Sequence, residues 1–347
     1  MDTNSVDAGM SSRASGHLPN MACTGIMESA GRIFACISKS MKNYFFGFLV
    51  ISLLANAIFA FQTLQSPADE YQQFPYLSKR IFAENQNDIL INFVPLRTAM
   101  REYVSKQPDA IGVYFEYLPS GTSIGVNDNL EIKLASLIKI PLVMGVYRQI
   151  EGGNLKKDDV LTIKKEHLDK KFGDLWKKGE GTTLTVNEAI KLTLINSDNT
   201  SSNVLLSAVP TTEIDRVFDS LDIPKDKKGR FHVISPKNYS SILRSLHLSS
   251  YVNQNSSNEI LDILTMTVFD DKIVAGVPKN IKVSHKIGIF SSKDEPEESY
   301  GDCGIIYVPD RPYLLCIMTK STENKAREHM QYLSKMVYGY VVKVKGK

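Results

Sequence analysis

The stretch LASLIKIPLVMGVYRQIEGG, residues 134–153, limits what this chain can become more than any other part of it. Its pattern predicts a helix stopped by the Gly152–Gly153 pair, yet Leu137, Ile138, Ile140, Leu142, Val143, Met144 and Val146 leave it no polar face. A helix that is apolar all round must be covered on every side, so other elements have to pack around it. Lys139 lies inside this run. Burying an amine there costs several kcal/mol unless neighbours satisfy it, and specific partners for Lys139 are therefore expected.

The elements that would do the covering can be read along the chain. An amphipathic helix is predicted over about residues 91–105, followed by a strand AIGVYFEYL, a turn PSGT and a second strand over about 122–126. These two strands make a hairpin. A largely helical middle runs from about 185 to 267 and opens on a capping box, in which Thr185 and Glu188 bracket VNEAIKLTLI. Strands return in IKVSHKIGIF, CGIIYV and YLLCIMT, and a long helix begins at about Glu323. Strands at both ends with helices between imply one antiparallel sheet built from the two chain ends, with a helical subdomain inserted. The expected class is α+β rather than a wound βαβ sheet.

The N-terminus is a separate problem. Residues 44–61 (YFFGFLVISLLANAIFAF) carry no charge, and only Ser52 and Asn56 among them are polar. As a helix this stretch would span roughly 27 Å, close to the hydrocarbon thickness. Arg32, Lys39 and Lys42 precede it while Asp69 and Glu70 follow, so the positive-inside rule puts the N-terminus in the cytoplasm and the bulk of the chain outside. A cleaved signal peptide starting at Met41, with Ala55, Ala57 and Ala60 near its end, is the competing reading and delivers the rest to the same side. The expected organisation is a polar tail over 1–41, an anchor or signal peptide over 42–63, a linker over 64–88 and one domain over 89–347. The expected location is a bacterial cytoplasmic membrane with a periplasmic domain, or secretion if the helix is cleaved. With 41 basic against 38 acidic residues, a formal charge of +3 is too balanced for a chain that lives on phosphate backbones, and nucleic acid is not an expected partner. Oligomeric state has no signature in the sequence.

Four cysteines are too few for a disulfide framework, and Cys23 and Cys36 precede the apolar segment. If DCGIIYVPDRPYLLCIMT turns at Pro309 to Pro312, Cys303 falls opposite about Met318 and only diagonal to Cys316. Both are expected to be buried free thiols.

Ser136 and Lys139 stand at i and i+3, on one face and within reach of a hydrogen bond. A serine hydroxyl is a poor nucleophile until a base takes its proton, and a desolvated lysine can be neutral enough to do so. Backbone N–H groups at the helix start could hold a developing oxyanion. Taken alone, the pair is more readily an N-cap serine and a lysine reaching for solvent, since Ser-x-x-Lys arises by chance roughly once in a chain of this composition.

Two further motifs change that balance. INSDNTSSNVLL puts Ser197, Asp198 and Asn199 at a break between helices, and VSHKIGIF puts Lys286 and Gly288 in a late strand. In this order the three segments resemble the S-x-x-K, S-D-N and K-T-G set of class A β-lactamases and penicillin-binding proteins. The similarity extends to ASLIKIPLVMGVYRQIEGGNLKKDDVLTI, GTTLTVNEAIKLTLINSDNTSSNVLL, ISPKNYSSILRSL and DCGIIYVPDRPYLLCIMT, and covers the chain from about residue 89 onward.

The resemblance implies a β-lactamase-like fold and a serine acyl-enzyme acting on β-lactams or on D-Ala-D-Ala peptide bonds of peptidoglycan, with no metal or cofactor. It implies that Ser136 is acylated, that Lys139 accepts its proton and that Ser197 passes a proton to the leaving nitrogen. Asn199 would orient Lys139 and the substrate amide. Lys286 would attract the substrate carboxylate within the K-x-G segment that includes Gly288, and the N–H groups of Ser136 and Ile289 would form the oxyanion hole.

The chain departs from that pattern twice. Hydrolytic members are similar to one another in a Glu-x-x-Leu-Asn stretch after S-D-N, whose glutamate activates the deacylating water. The matching segment here, LDIPKDKKGRFHVISP, contains no glutamate, while Glu213 and Glu166 lie earlier. General-base assistance is typically worth about 10²–10⁴, so slow deacylation is expected. Ile287 also stands where the family has threonine and can neither donate nor accept, leaving Ser284, Ser291 or Ser292 as substitutes. His285 is expected to be a packed strand residue, and Trp176 is either a wall of the cleft or a surface cover.

Overall fold

The computed structural model describes residues 46, 48–56, 74–76, 92–225, 232–293 and 297–343. The chain divides into two units, Met1–Ser66 and Pro67–Lys347. In the first, residues 48–56 are helical with exposed Phe48, Ile51 and Leu53. Among the described residues no helix is long and apolar enough to cross a membrane. The tail over 1–41 lies outside the described residues, as do much of the apolar segment and most of the linker over 64–88. Within that linker, Phe74 and Tyr76 are buried, and the Tyr76 hydroxyl donates to Asp262 at 2.6 Å.

The second unit opens with α1 (Val94–Ser105), whose Pro95 occupies the first turn, where no N–H is needed. There follow β1 (Ala110–Tyr117), β2 (Thr122–Val126) and β3 (Ile132–Lys133). A short 3₁₀ turn (Ala135–Ile138) leads into α2 (Lys139–Glu151). Strands β4 (Val160–Thr162) and β5 (Thr183–Thr185) pair on the way to α3 (Val186–Ile195), α4 (Asn199–Ala208) and α5 (Glu213–Ser220). The rest comprises β6 (Val233–Ile234), α6 (Pro236–His247), α7 (Gln254–Leu264), β7 (Val283–Phe290), β8 (Ser299–Ile306), β9 (Tyr313–Lys320) and α8 (Glu323–Lys343).

The main sheet has the order β2-β1-β9-β8-β7 and is antiparallel throughout, so the two chain ends interleave as expected and the helical middle is inserted between β2 and β7. Alternation along the strands divides their side chains between two cores. Tyr114, Cys303, Ile305, Leu314 and Met318 join the helical side, around Leu142, Val143 and Val146 of α2. Ile111, Phe115, Ile317 and Tyr300 join Leu96 and Met100 of α1 and Met330 and Leu333 of α8 on the other face. Several helix starts in the inserted helical part are capped by their own side chains. Thr185 and Glu188 form the expected capping box, Asp198 accepts from Ser201 N at 2.7 Å, and Ser235 accepts from Asn238 N.

Two expectations need correction. The long apolar segment is not one α-helix: the chain enters it through Ala135 at φ 42°, runs as a 3₁₀ turn and becomes α-helical only at Lys139. Side chains at i and i+3 eclipse in 3₁₀ geometry, so this setting draws Ser136 and Lys139 together. The cysteines are not free thiols either. Ile306 pairs with Tyr313, a register two residues away from the one a turn at Pro309 to Pro312 would set, so Cys303 stands directly opposite Cys316 and the two form a disulfide.

Candidate active site

Lys139, at the first position of α2, is buried to 3% exposure, and the sequence-based demand for partners is met. Its Nζ donates to Ser136 Oγ at 3.1 Å, Ser197 Oγ at 3.2 Å, Asn199 Oδ1 at 2.6 Å and the Ser197 carbonyl. Burial pulls the amine down from 10.5 to about 8, with the carboxylates of Asp198 and Asp169 resisting. Near neutrality, then, a usable fraction of Lys139 can accept a proton from the hydroxyl beside it.

The second amine comes from the sheet. Lys286 on edge strand β7 is fully buried, and its Nζ donates to Ser197 Oγ at 2.9 Å and to the Ile287 carbonyl at 3.2 Å. Burial and the charge of Lys139 hold it well below an ordinary lysine, against the pull of Asp302. The Phe269 ring lies 5.8 Å from this ammonium and supplies a π face. Ser197 thus sits between two amines. It adopts φ 53°, a left-handed conformation unusual for a residue with a Cβ, and occurs at the break between α3 and α4. Such strained residues gather where surrounding contacts over-determine them.

Gly288 and Ile289 belong to the same edge strand. A Cβ at Gly288 would lie 2.6 Å from Leu137 Cγ, so glycine is what lets β7 lie against the turn that carries Ser136. The Leu137 carbonyl accepts from Tyr239 of α6 at 3.1 Å, which fixes that turn from below. Beside these groups opens a cleft of about 440 Å³ lined in part by Phe172, Val268, Phe269, Lys272 and Ile289. A larger cavity of about 850 Å³, lined by Arg148, Glu213, Arg216 and Tyr251 among others, contains none of the residues predicted from sequence.

All four predicted catalytic side chains converge, and Lys286 reaches them from the sheet. The residues weighed around them are placed less directly. Ile287 is buried at 2% and pairs with Asp302 across the strands. Ser284 donates to the Leu261 carbonyl at 2.6 Å and Ser291 to Glu298, so both hydroxyls are committed elsewhere. His285 is packed as expected, with Nδ1 2.7 Å from Asp302. The Lys170 ammonium lies over the Trp176 ring at 5.3 Å, and the aromatic ring of this loop that lines the cleft of about 440 Å³ is Phe172, four residues earlier. Glu213 is ion-paired with Arg216, and Glu166 is two-thirds exposed. The segment that lacks the glutamate is described only at residues 221–225 and 232–236. Among the described residues no group of His, Cys, Asp or Glu is arranged to hold a metal ion.

Sequence reasoning missed Asp169. Its Oδ1 accepts from Asn199 Nδ2 at 3.1 Å, so a carboxylate backs the amide that faces Lys139. No motif marked it, because its loop reaches the site only through tertiary packing.

The chain is similar to several known proteins. The sequence profile of a family described as "Beta-lactamase enzyme family" matches residues 95–341. The chain is 24% identical to beta-lactamase VEB-1 of Pseudomonas aeruginosa over 229 residues, which is 60% of this chain and 77% of that protein. Among solved structures, TLA-3 extended-spectrum beta-lactamase superposes with a TM-score of 0.67 at 18% identity, covering 73% of this chain and 100% of the other. A point mutant of PBP-A, solved as an acyl-enzyme complex with penicillin G, gives 0.64 at 24% identity over 72% of this chain and 97% of that one. These likenesses establish a β-lactamase-like α+β fold.

Proposed function

Because the chain belongs to the beta-lactamase enzyme family and is accordingly a serine hydrolase of β-lactamase-like type, we propose that it is a class A type acyl-enzyme that uses Ser136 as its nucleophile. The observation that carries the reading is Lys139 Nζ, 3.1 Å from Ser136 Oγ and held by burial at about 8. In the neutral form this amine takes the hydroxyl proton as Ser136 Oγ attacks the amide carbonyl. The oxyanion that forms is received by the N–H groups of Ser136 and Ile289. Ser197, hydrogen-bonded to both amines, returns a proton to the leaving nitrogen while Lys286 draws the substrate carboxylate. The ester is left on Ser136 and hydrolyses in a second step.

The substrates we assign are β-lactams or the D-Ala-D-Ala-like peptide bonds of peptidoglycan. With no glutamate in LDIPKDKKGRFHVISP, water must attack the ester without that base, and deacylation is slow. The same absence favours a second reading, a D,D-carboxypeptidase of the cell wall. Ile287 in place of the family threonine supports a third, a wall-binding or sensor domain that is acylated once or never.

We assign the domain to the outer side of a bacterial cytoplasmic membrane, held by residues 44–61 or secreted if these are cleaved. The charge asymmetry around that stretch and the Cys303–Cys316 disulfide, which suits an oxidising compartment, support the assignment.

The test is intact mass over time after mixing the full chain, purified in detergent, with benzylpenicillin, with Ser136→Ala as control. A lasting adduct on the wild type alone is the expected result. A transient adduct with product release indicates fast β-lactam hydrolysis, and no adduct indicates a binding domain. Release of D-alanine from a D-Ala-D-Ala peptide separates the peptidase from the sensor.

A further inference from the structure

We propose that Asp169 is a positioning residue which, through the side-chain amide of Asn199, sets the pH range over which Lys139 can activate Ser136. The proposal rests on the reading of Ser136 and Lys139 as nucleophile and base.

The geometry begins with the two ends of an amide. Asn199 Oδ1 accepts from Lys139 Nζ at 2.6 Å, and Asn199 Nδ2 donates to Asp169 Oδ1 at 3.1 Å. With a cation on one side and an anion on the other, the amide has one favourable orientation. Turned over, it would present N–H groups to an ammonium and an oxygen to a carboxylate.

Asp169 is itself held firmly. Its Oδ1 accepts from Lys171 N at 2.7 Å, a local turn typical of aspartate, and its own N–H donates to Thr200 Oγ1 at 3.0 Å. The following residues grip the same helix start: Asn199 N donates to the Phe172 carbonyl at 3.0 Å, and Leu175 N donates to Asp198 Oδ2 at 3.0 Å. Gly173, at φ 81°, lies so near Asp198 that a Cβ would overlap its carboxylate. The loop is thus tied to the first turn of α4 by several hydrogen bonds, which fix where the Asp169 carboxylate stands relative to Lys139.

The charged groups around Lys139 are Asp198 at the start of α4, Lys286 on β7 and Asp169 on the loop. Asp198 is committed to the N–H groups of Ser201 and Leu175, and Lys286 repels a second cation. Asp169 opposes the loss of the Lys139 proton, in the same sense as Asp198. It acts across one amide, without a direct hydrogen bond to the amine. Removing this charge while keeping the hydrogen bonds frees the proton at lower pH. The neutral fraction of Lys139, and with it the acylation rate, then rises on the acid side.

The measurement is the rate of acylation by benzylpenicillin, by rapid-quench mass spectrometry across pH 5.5–9.5, on the full-length wild type and its Asp169→Asn, Asp169→Ser and Asp169→Glu variants. Asp169→Asn keeps an oxygen for Lys171 N and Asn199 Nδ2 and loses only the charge. Asp169→Ser is a second neutral variant that retains a turn-forming acceptor, should the first fold poorly. A neutral variant is expected to move the acid limb to lower pH, so that one pH unit below the wild-type midpoint the rate is about three to ten times faster. Asp169→Glu is expected to restore the wild-type midpoint. Neutral variants that acylate with an unchanged midpoint overturn the proposal. So does a result in which they acylate normally but lose deacylation, since Asp169 would then serve the water instead. A wild type that forms no adduct overturns the underlying reading, and this proposal with it.

Discussion

Lys139 and Lys286 meet on one hydroxyl. Their Nζ atoms lie 3.2 and 2.9 Å from Ser197 Oγ, one amine coming from the start of a central helix and the other from the edge of the sheet. Burial holds both amines below ordinary lysine values, and at Lys286 the charge of Lys139 adds to that lowering.

That arrangement sets a pH dependence. With Lys139 at about 8, acylation of Ser136 should rise through about pH 8 and level off above it, and Lys139→Met should lower the rate about 10²–10⁴-fold. Stability follows the same group with a definite sign. Below about 8 both folded and unfolded chains carry this proton and the cost of burying it is fully present. Between about 8 and 10.5 the folded chain binds fewer protons, so stability increases with pH. Urea titrations should show the wild type gaining about 3 kcal/mol on Lys139→Met across that window, and a flat difference would contradict the assignment.

Gly288 lets the edge strand lie against the turn that carries Ser136. Gly288→Ala should cost about 1–3 kcal/mol through overlap with Leu137 and lower acylation by about 10²-fold, because a shift near 1 Å separates β7 from Ser136. The double variant with Leu137→Ala should regain part of both losses. Stopped-flow acylation and thermal melts test it; equal losses in single and double variants would mean the close approach is not the cause.

The disulfide closes a loop with a sequence separation of 13. Replacing Cys303 and Cys316 together by alanine should remove about 2–3 kcal/mol. Alkylation in denaturant without reductant should leave both residues unlabelled, and labelling of either would show that the bond does not form.

A charged pair elsewhere links β1 to α6. Arg244 Nε donates to both oxygens of Glu116, at 2.9 and 2.8 Å, and its Nη2 donates to Tyr114 Oη at 2.9 Å. Glu116→Ala leaves a half-buried guanidinium unmatched and should cost about 2–3 kcal/mol, below the range for fully buried pairs because Arg244 keeps some water. Adding Arg244→Met should recover most of it in urea titrations.

The features legible in the sequence were those set by local chemistry. Alternation marked β1, β2 and the three late strands, Thr185 and Glu188 announced their capping box, and an all-apolar helix with one lysine inside pointed to a central amine needing partners. The convergence of Ser136, Lys139, Ser197, Asn199 and Lys286 was legible because three motifs kept their order. What escaped depends on register and docking. A two-residue difference in the β8–β9 pairing turns diagonal cysteines into facing ones, and nothing in DCGIIYVPDRPYLLCIMT fixes where that loop closes. Asp169 and Phe172 matter because their loop folds onto Asp198 and Asn199, a contact that pattern reading along the chain does not reach.

The middle strands of the sheet are supplied by opposite ends of the chain, β1 pairing along its whole length with β9 from Ala110↔Lys320 to Tyr117↔Tyr313. During synthesis the segment bearing Ser136 and Lys139 leaves the ribosome well before Lys286 and before the strand that joins β1 to the rest. A chain cut short before residue 283 therefore holds Ser136 and Lys139 but lacks Lys286 and three of the five strands of the main sheet. Pairing between segments this far apart in sequence is slow to form, so the sheet that presents Lys286 is completed only after both ends of the domain have been made.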